Sequence, residues 1–181
     1  MLPTDKELIK IILSDEWMMA ILKKHTELNL PDSWIGAGFV RNKVWDLLHH
    51  YKERTPLNDI DIIYFDKSDN VNSKEQENKF GAYFPELKFS FKNQAIMHKK
   101  HGHACYQNSE DSISHWVETA TAVAIRWNGK ELEYLAPYGL KDLFSLALNP
   151  TDLSKTEVSK QRVEEKRWLE LWPRLILMYN V

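Results

Sequence analysis

From Asp5 to about His25 the apolar residues Leu8, Ile9, Ile12, Trp17, Ile21 and Leu22 recur at helical spacing, with Ser14-Asp15-Glu16 between them as a cap and an acidic first turn. Two short helices are expected there. After Pro31 a short apolar stretch, Trp34-Ile35, runs into Gly36-Ala37-Gly38 and then into Val40, Val44, Leu47 and Leu48, which recur on one helical face. That order reads as strand, glycine turn, helix. Thr55-Pro56-Leu57-Asn58 breaks the helix and leads into Asp59-Ile60-Asp61-Ile62-Ile63-Tyr64-Phe65, whose β-branched and aromatic content favours a strand. A polar loop from Asp66 to Asn72 follows.

Ser73 with Gln76 resembles a capping box and predicts a helix from Lys74 to about Tyr83, before Pro85 interrupts it. The next strand is expected over Leu87 to Asn93. Between Ala95 and Ser109 the chain is polar and rich in His, Lys and Asn, and no regular element is assigned. Glu110 to Ala122 reads as a helix leading to Val123–Trp127, and Asn128-Gly129 is a two-residue hairpin signal into Glu131–Leu135. Gly139 to Leu148 and Thr156 to Trp172 are expected helices, the second rich in i,i+4 charge pairs and stopped by Pro173. The fold expected is α/β or α+β: a small mixed sheet from the strands near Trp34, Asp59 and Phe89, flanked by helices, with an added hairpin and helical tail. A single domain over 1–181 is expected, with its core at about 30–150 and the tail at about 151–181.

Composition supports that reading and narrows the partners. With 43% hydrophobic and 12% aromatic residues the chain can fill a core without disulfides. The formal charge of -2 does not indicate a protein that coats nucleic acid, although a local basic groove stays open. Cys105 is the only cysteine, so no intramolecular disulfide forms and a reducing compartment, the cytoplasm, is expected. The charged amino terminus does not resemble a signal peptide, and no run approaches a membrane span, so no membrane partner is expected.

The candidate chemistry sits in two neighbouring elements. Side chains alternate along a strand, so Asp59 and Asp61 point to one side, at a spacing that lets two carboxylates share a hard cation, Mg2+ or Mn2+. Alone, such a pair also describes aspartates solvating a strand end. The glycine turn upstream adds a second half, because a helix amino terminus preceded by glycines presents N–H groups to phosphate oxygens. Arg41 stands where a dinucleotide-binding fingerprint would place a third glycine, which argues against a Rossmann unit.

The stretches Gly36-Ala37-Gly38-Phe39-Val40-Arg41-Asn42 and Leu57-Asn58-Asp59-Ile60-Asp61-Ile62-Ile63-Tyr64-Phe65-Asp66 resemble the signature of the polymerase β-like nucleotidyltransferase superfamily. More closely they resemble a bacterial branch of uncharacterised nucleotidyltransferase-family proteins. Lys92-Asn93-Gln94-Ala95-Ile96-Met97-His98 and Trp116-Val117-Glu118-Thr119-Ala120-Thr121-Ala122 extend the likeness to about Thr151. The resemblance implies a metal-dependent transfer of a nucleotidyl group from a nucleoside triphosphate to an acceptor that remains unnamed. It implies that Asp59 and Asp61 are catalytic and bind metal, and that Gly36, Ala37 and Gly38 face the nucleotide phosphates.

In that superfamily a third acid on a later strand completes the site, and here Phe91-Lys92-Asn93-Gln94 stand in its place. Asn93, through its carbonyl oxygen, and Glu118 are alternative suppliers, and Asn93 is also assigned, with Arg41 and His98, as a second-rank nucleotide contact. Arg41 is assigned either to phosphate or to an ion pair with Asp46. His98 is assigned either to phosphate or proton transfer or to packing beneath its loop. His98, His101, His103 and Cys105 match no closed zinc motif and read as a solvated loop. Two rival functions follow from the missing acid: a nucleotide-binding or regulatory module without catalysis, and a scaffold that binds a partner through its aromatic surfaces.

Overall fold

The computed structural model describes residues 5–179. In chain order the elements are α1 (Asp5–Leu13), α2 (Glu16–Thr26), β1 (Trp34–Gly36), α3 (Gly38–Leu48), β2 (Ile60–Tyr64), α4 (Ser73–Gly81), β3 (Phe89–Asn93), α5 (Gln94–His101) and α6 (Ser109–Ser114), then β4 (Ala124–Trp127), β5 (Leu132–Leu135), α7 (Lys141–Phe144), β6 (Ala147–Leu148), α8 (Thr156–Glu165), α9 (Trp168–Leu171) and β7 (Ile176–Leu177). Five strands form one mixed sheet in the order β3-β2-β1-β4-β5, and β6 pairs with β7 separately. Only β2 and β3 are parallel within the large sheet; its other neighbours are antiparallel. The expected mixed sheet flanked by helices is therefore present. Among the described residues no helix is long and apolar enough to cross a membrane.

Strand alternation divides the sheet into two unlike faces. Ile35, Ile62, Tyr64, Phe91 and Ile125 point into the large core with the apolar sides of α1 to α4. The opposite face carries a smaller cluster of Trp34, Ile63 and Ala124, covered by Ile113 and Trp116. The helical tail closes the large core: Trp45 of α3 lies edge-on to Trp168 at 5.6 Å and to Trp172 at 5.1 Å. Asp46 binds this arrangement together by accepting from the Thr55 N–H at 2.9 Å, the Thr55 hydroxyl at 2.6 Å and the Trp172 indole at 2.8 Å.

Several boundaries differ from the sequence expectations, each for a local reason. Asn72, not Ser73, caps α4 by accepting from the Glu75 N–H, while the Ser73 hydroxyl bonds Tyr64. The polar stretch after Ala95 contains α5, which Asn93 caps and which ends at Gly102 in the left-handed conformation. The helix expected over Glu110–Ala122 stops at Ser114, because the chain beyond it bonds the segment around Pro150 instead: Thr119 N–H to Asn149 O and Thr151 N–H to Val117 O, both at 2.9 Å. The helix expected over Gly139–Leu148 is one turn, α7, followed by β6. Arg167, at φ +52°, splits the long charged helix into α8 and α9.

His25 of α2 is buried, and its tautomer follows from its neighbour. The Ser33 hydroxyl donates its one proton to Ile63 O at 3.0 Å, so it must accept from His25 Nε2 at 2.7 Å. Nδ1 is then unprotonated and has no partner among the described residues. Burial, with the Arg126 charge nearby, pushes this imidazole down to about 4. The unfolded chain takes up the proton first, near an ordinary pKa of about 6.5, so the contribution is complete above that value and fades as pH falls toward 4. Over that window His25 is expected to remove on the order of 3 kcal/mol of stability. Urea unfolding at pH 7 and pH 4.5 tests this, with H25N losing much of the pH dependence.

Candidate active site

The register of the strands assembles the site. Gly36 lies opposite Asp61 and Ala124, and Ile63 lies opposite Lys92, so Gly36, Asp61, Ile63 and Lys92 share the thinly covered face. Asp59 stands one residue before β2 and is exposed. Both carboxylates bear on Lys166 at the end of α8: burial and the Arg162 and Arg41 charges lower that ammonium's pKa, and Asp59 and Asp61 oppose them.

Lys92 is the residue that local reading missed. Its Nζ lies 2.8 Å from Asp61 Oδ1. It extends from β3 beside the Asp59–Asp61 strand, where the resemblance leads one to look for a third acid. Asn93 faces the other way and is buried. Its Oδ1 accepts from the Asp66 N–H at 3.0 Å and the Ala95 N–H at 3.1 Å, while Nδ2 donates to Asp66 O at 2.8 Å and Asp69 Oδ1 at 2.9 Å. Asn93 is thus held by the loop after β2, with its hydrogen-bonding groups engaged there.

The glycine turn is shaped by close packing as well as by its conformation. A Cβ on Gly36 would sit 2.8 Å from Trp116 Cη2 and 3.1 Å from Val123 O. Ala37 adopts φ +53°, ψ -122°, which is costly for a residue with a Cβ, and its N–H bonds Val123 O at 3.0 Å. It also precedes α3 without offering a side-chain acceptor to the first-turn N–H groups. Those donors therefore have no side-chain cap at the point where Ala37 lines the cleft.

Arg41 lies behind this turn rather than on its surface. It is buried between Trp168 and Trp45, with Cζ 4.3 Å and 4.9 Å from their ring centroids, and donates to the Thr121 hydroxyl at 2.9 Å and Asn42 Oδ1 at 3.0 Å. The ion pair with Asp46 is not formed. Burial lowers Arg41 to about 10, against the favourable charges of Glu118 and Asp61. Glu118 is wholly buried and paired with Arg162 through contacts of 2.8 and 3.3 Å. This pairing holds Arg162, which lines the cleft.

The cleft measures about 400 Å³ and runs from Ala37, Asp61 and Lys92 to His101, His103 and Lys155. Its volume falls in the range of roughly 300–1,000 Å³ common for small-molecule sites. His98 is turned elsewhere, with Nε2 3.3 Å from Cys105 Sγ and its ring edge-on to Tyr106. The cleft histidines are instead His101, His103 and His115. Their only signal in the sequence is the density of His and Lys between His98 and His115.

A family profile described as "Nucleotidyltransferase" matches residues 23–177. Among solved structures, a protein determined by NMR and described as revealing a CCA-adding enzyme head domain is 33% identical. It superposes with a TM-score of 0.83, covering 98% of this chain and 97% of that one. A CCA-adding enzyme in complex with CTP is 16% identical, with a TM-score of 0.60 over 94% of this chain and 43% of its own. The Thermotoga maritima CCA-adding enzyme complexed with tRNA is 18% identical, with a TM-score of 0.57 over 94% of this chain and 42% of its own. The last two share the fold, and this chain spans less than half their length. No curated protein matches the sequence.

Proposed function

Because this chain belongs to the nucleotidyltransferase family, we propose that it transfers a nucleotidyl group from a nucleoside triphosphate to an acceptor, with a divalent cation held at Asp59 and Asp61. The observation that carries this reading is the pairing of that carboxylate face with the uncapped amino terminus of α3 at one cleft. The CTP bound by a structural neighbour agrees with a triphosphate ligand.

The donor set fits a single hard cation. Two carboxylates are available, and among the described residues no group of three or more His, Cys, Asp or Glu side chains gathers to hold an ion. Mg2+ commonly takes one or two carboxylates and completes its shell with water and substrate phosphate oxygens. Such an ion would supply charge stabilisation at the α-phosphate and at the pyrophosphate leaving group. Asp61 must then release or share its contact with Lys92, which becomes available to a phosphate oxygen. The first-turn N–H groups of α3 orient the remaining phosphates. Arg41 adds a buried positive charge behind the turn, Arg162 lines the cleft, and Lys166 lies close enough to feel both carboxylates.

Thermal unfolding across the four ribonucleoside triphosphates, with and without Mg2+, tests the reading. A rise that requires both triphosphate and Mg2+, and that disappears in the double variant D59A/D61A, is expected. No rise with any triphosphate would overturn it. Binding without pyrophosphate release in the presence of candidate acceptors would favour the non-catalytic alternative.

A further inference from the structure

Away from the Asp61–Lys92 pair, one wall of the cleft has its own chemistry. Lys100 and His101 come from α5, His103 from the loop after it, His115 from the end of α6, and Lys155 from the turn before α8. The His103 ring lies 4.9 Å from that of His115 and 5.8 Å from that of His101. Lys155 donates to His115 O at 3.0 Å, Thr151 Oγ1 at 2.9 Å and Trp116 O at 3.4 Å, so its ammonium is fixed in place by neutral acceptors. Among the described residues the only carboxylate lining the cleft is Asp61, which is bound to Lys92.

The ring nitrogens facing this wall are incompletely used. His103 Nδ1 meets the Tyr106 hydroxyl at 2.6 Å, and His115 Nδ1 meets Asp111 O at 2.8 Å. Nε2 of each ring, and both nitrogens of His101, have no hydrogen-bond partner among the described residues. Three imidazoles and two ammonium groups thus converge, with Asp111 Oδ1 4.0 Å from His115 Nδ1 and Asp152 near Lys155 as the carboxylates beside them. Partial burial comes first in holding His101 below the usual imidazole range, followed by the Lys100 and Lys155 charges. His103 is lowered by partial burial, then by His115, His101 and Lys155.

We propose that Lys100, His101, His103 and His115 form an oxyanion subsite for a phosphate group, filled with uptake of protons, in the same cleft as the Asp59–Asp61 pair. A dianion there would meet Lys100 directly and the fixed field of Lys155, and would favour the doubly protonated imidazolium forms. The other charged or titratable groups around these residues are Tyr106, Asp111 beside His115, Asp152 beside Lys155, and Lys92, Asp61 and Arg162 elsewhere in the cleft lining. The phosphate comes either from the acceptor, which would then be a phosphorylated molecule, or from the triphosphate itself. The subsite rests on the nucleotidyl-transfer reading for its role, while its anion binding is independent of that reading.

Sulfate, which keeps two charges from pH 5.5 to 7.5, is the probe. Its binding to the whole chain is followed by calorimetry and by the imidazole proton resonances, assigned by single histidine substitutions. The affinity is expected to tighten at least about fivefold on going from pH 7.5 to 5.5, with His101 and His103 titrating at higher pH when sulfate is bound. K100Q/H103N is expected to lose most of the affinity and its pH dependence. Inorganic phosphate added to protein saturated with Mg2+ and triphosphate separates the sources. Continued movement of the histidine resonances indicates an acceptor phosphate, and their prior movement by the triphosphate indicates the nucleotide. Sulfate binding that leaves His101 and His103 unmoved, or that survives K100Q/H103N, overturns the subsite. Absence of the triphosphate shift with sulfate binding intact would overturn the transfer reading alone.

Discussion

Asp59→Ala is expected to lower nucleotidyl transfer by at least about 100-fold while leaving Tm within about 2 °C of the parent. Asp59 is exposed, precedes the first residue of β2 and engages no side-chain hydrogen bond among the described residues, so the fold asks little of it. Its proposed work is to hold a cation against developing charge, which matters far more in the transition state than in the folded protein alone. Initial rates of pyrophosphate release, measured beside a melting curve, give both readouts. Unchanged turnover would remove Asp59 from the proposed chemistry. Asp61→Asn is a less clean change, because it also strands Lys92, whose ammonium now lies 2.8 Å from that carboxylate.

Glu118→Gln should act mainly on stability. Its carboxylate is wholly buried and answers Arg162 directly and Arg41 through space. Neutralising it leaves one guanidinium without its ion pair and another, already buried between two indoles, without a compensating charge. Loss of one member of a buried pair typically costs about 3–5 kcal/mol; Arg162 is partly accessible to water, which points to about 3. For a chain of this size that corresponds to a Tm lower by roughly 6–12 °C. Chemical denaturation measures it, and a loss below about 1 kcal/mol would mean that water, rather than Glu118, balances the cluster. The double variant E118Q/R162M should recover part of the loss, since removing both partners leaves less charge unanswered.

The elements with a strong local signature were legible in the sequence. β-Branched and aromatic content identified β2, Asn128-Gly129 identified the β4–β5 hairpin, and the apolar spacing identified α1, α2 and α3. Where a long-range partner competes with local preference, the local reading failed. The chain after Ser114 has helical character but bonds the segment near Pro150, and Arg167 breaks a charged helix so that Trp168 and Trp172 can pack on Trp45. Asn93 was a plausible contact by its neighbours in sequence, yet strand parity turns it away from Asp61 and toward Lys92's opposite face.

By itself the sequence determined that a glycine turn opens a helix and that two aspartates two residues apart begin the next strand. Both depend on steric and pleat rules acting within a few residues. Only the tertiary structure decided that Lys92 meets Asp61, that Glu118 is spent on Arg162, and that His101, His103 and Lys155 share a wall. Those pairings depend on strand register and on packing between segments far apart in the chain, where desolvation and charge, rather than local preference, select the partner.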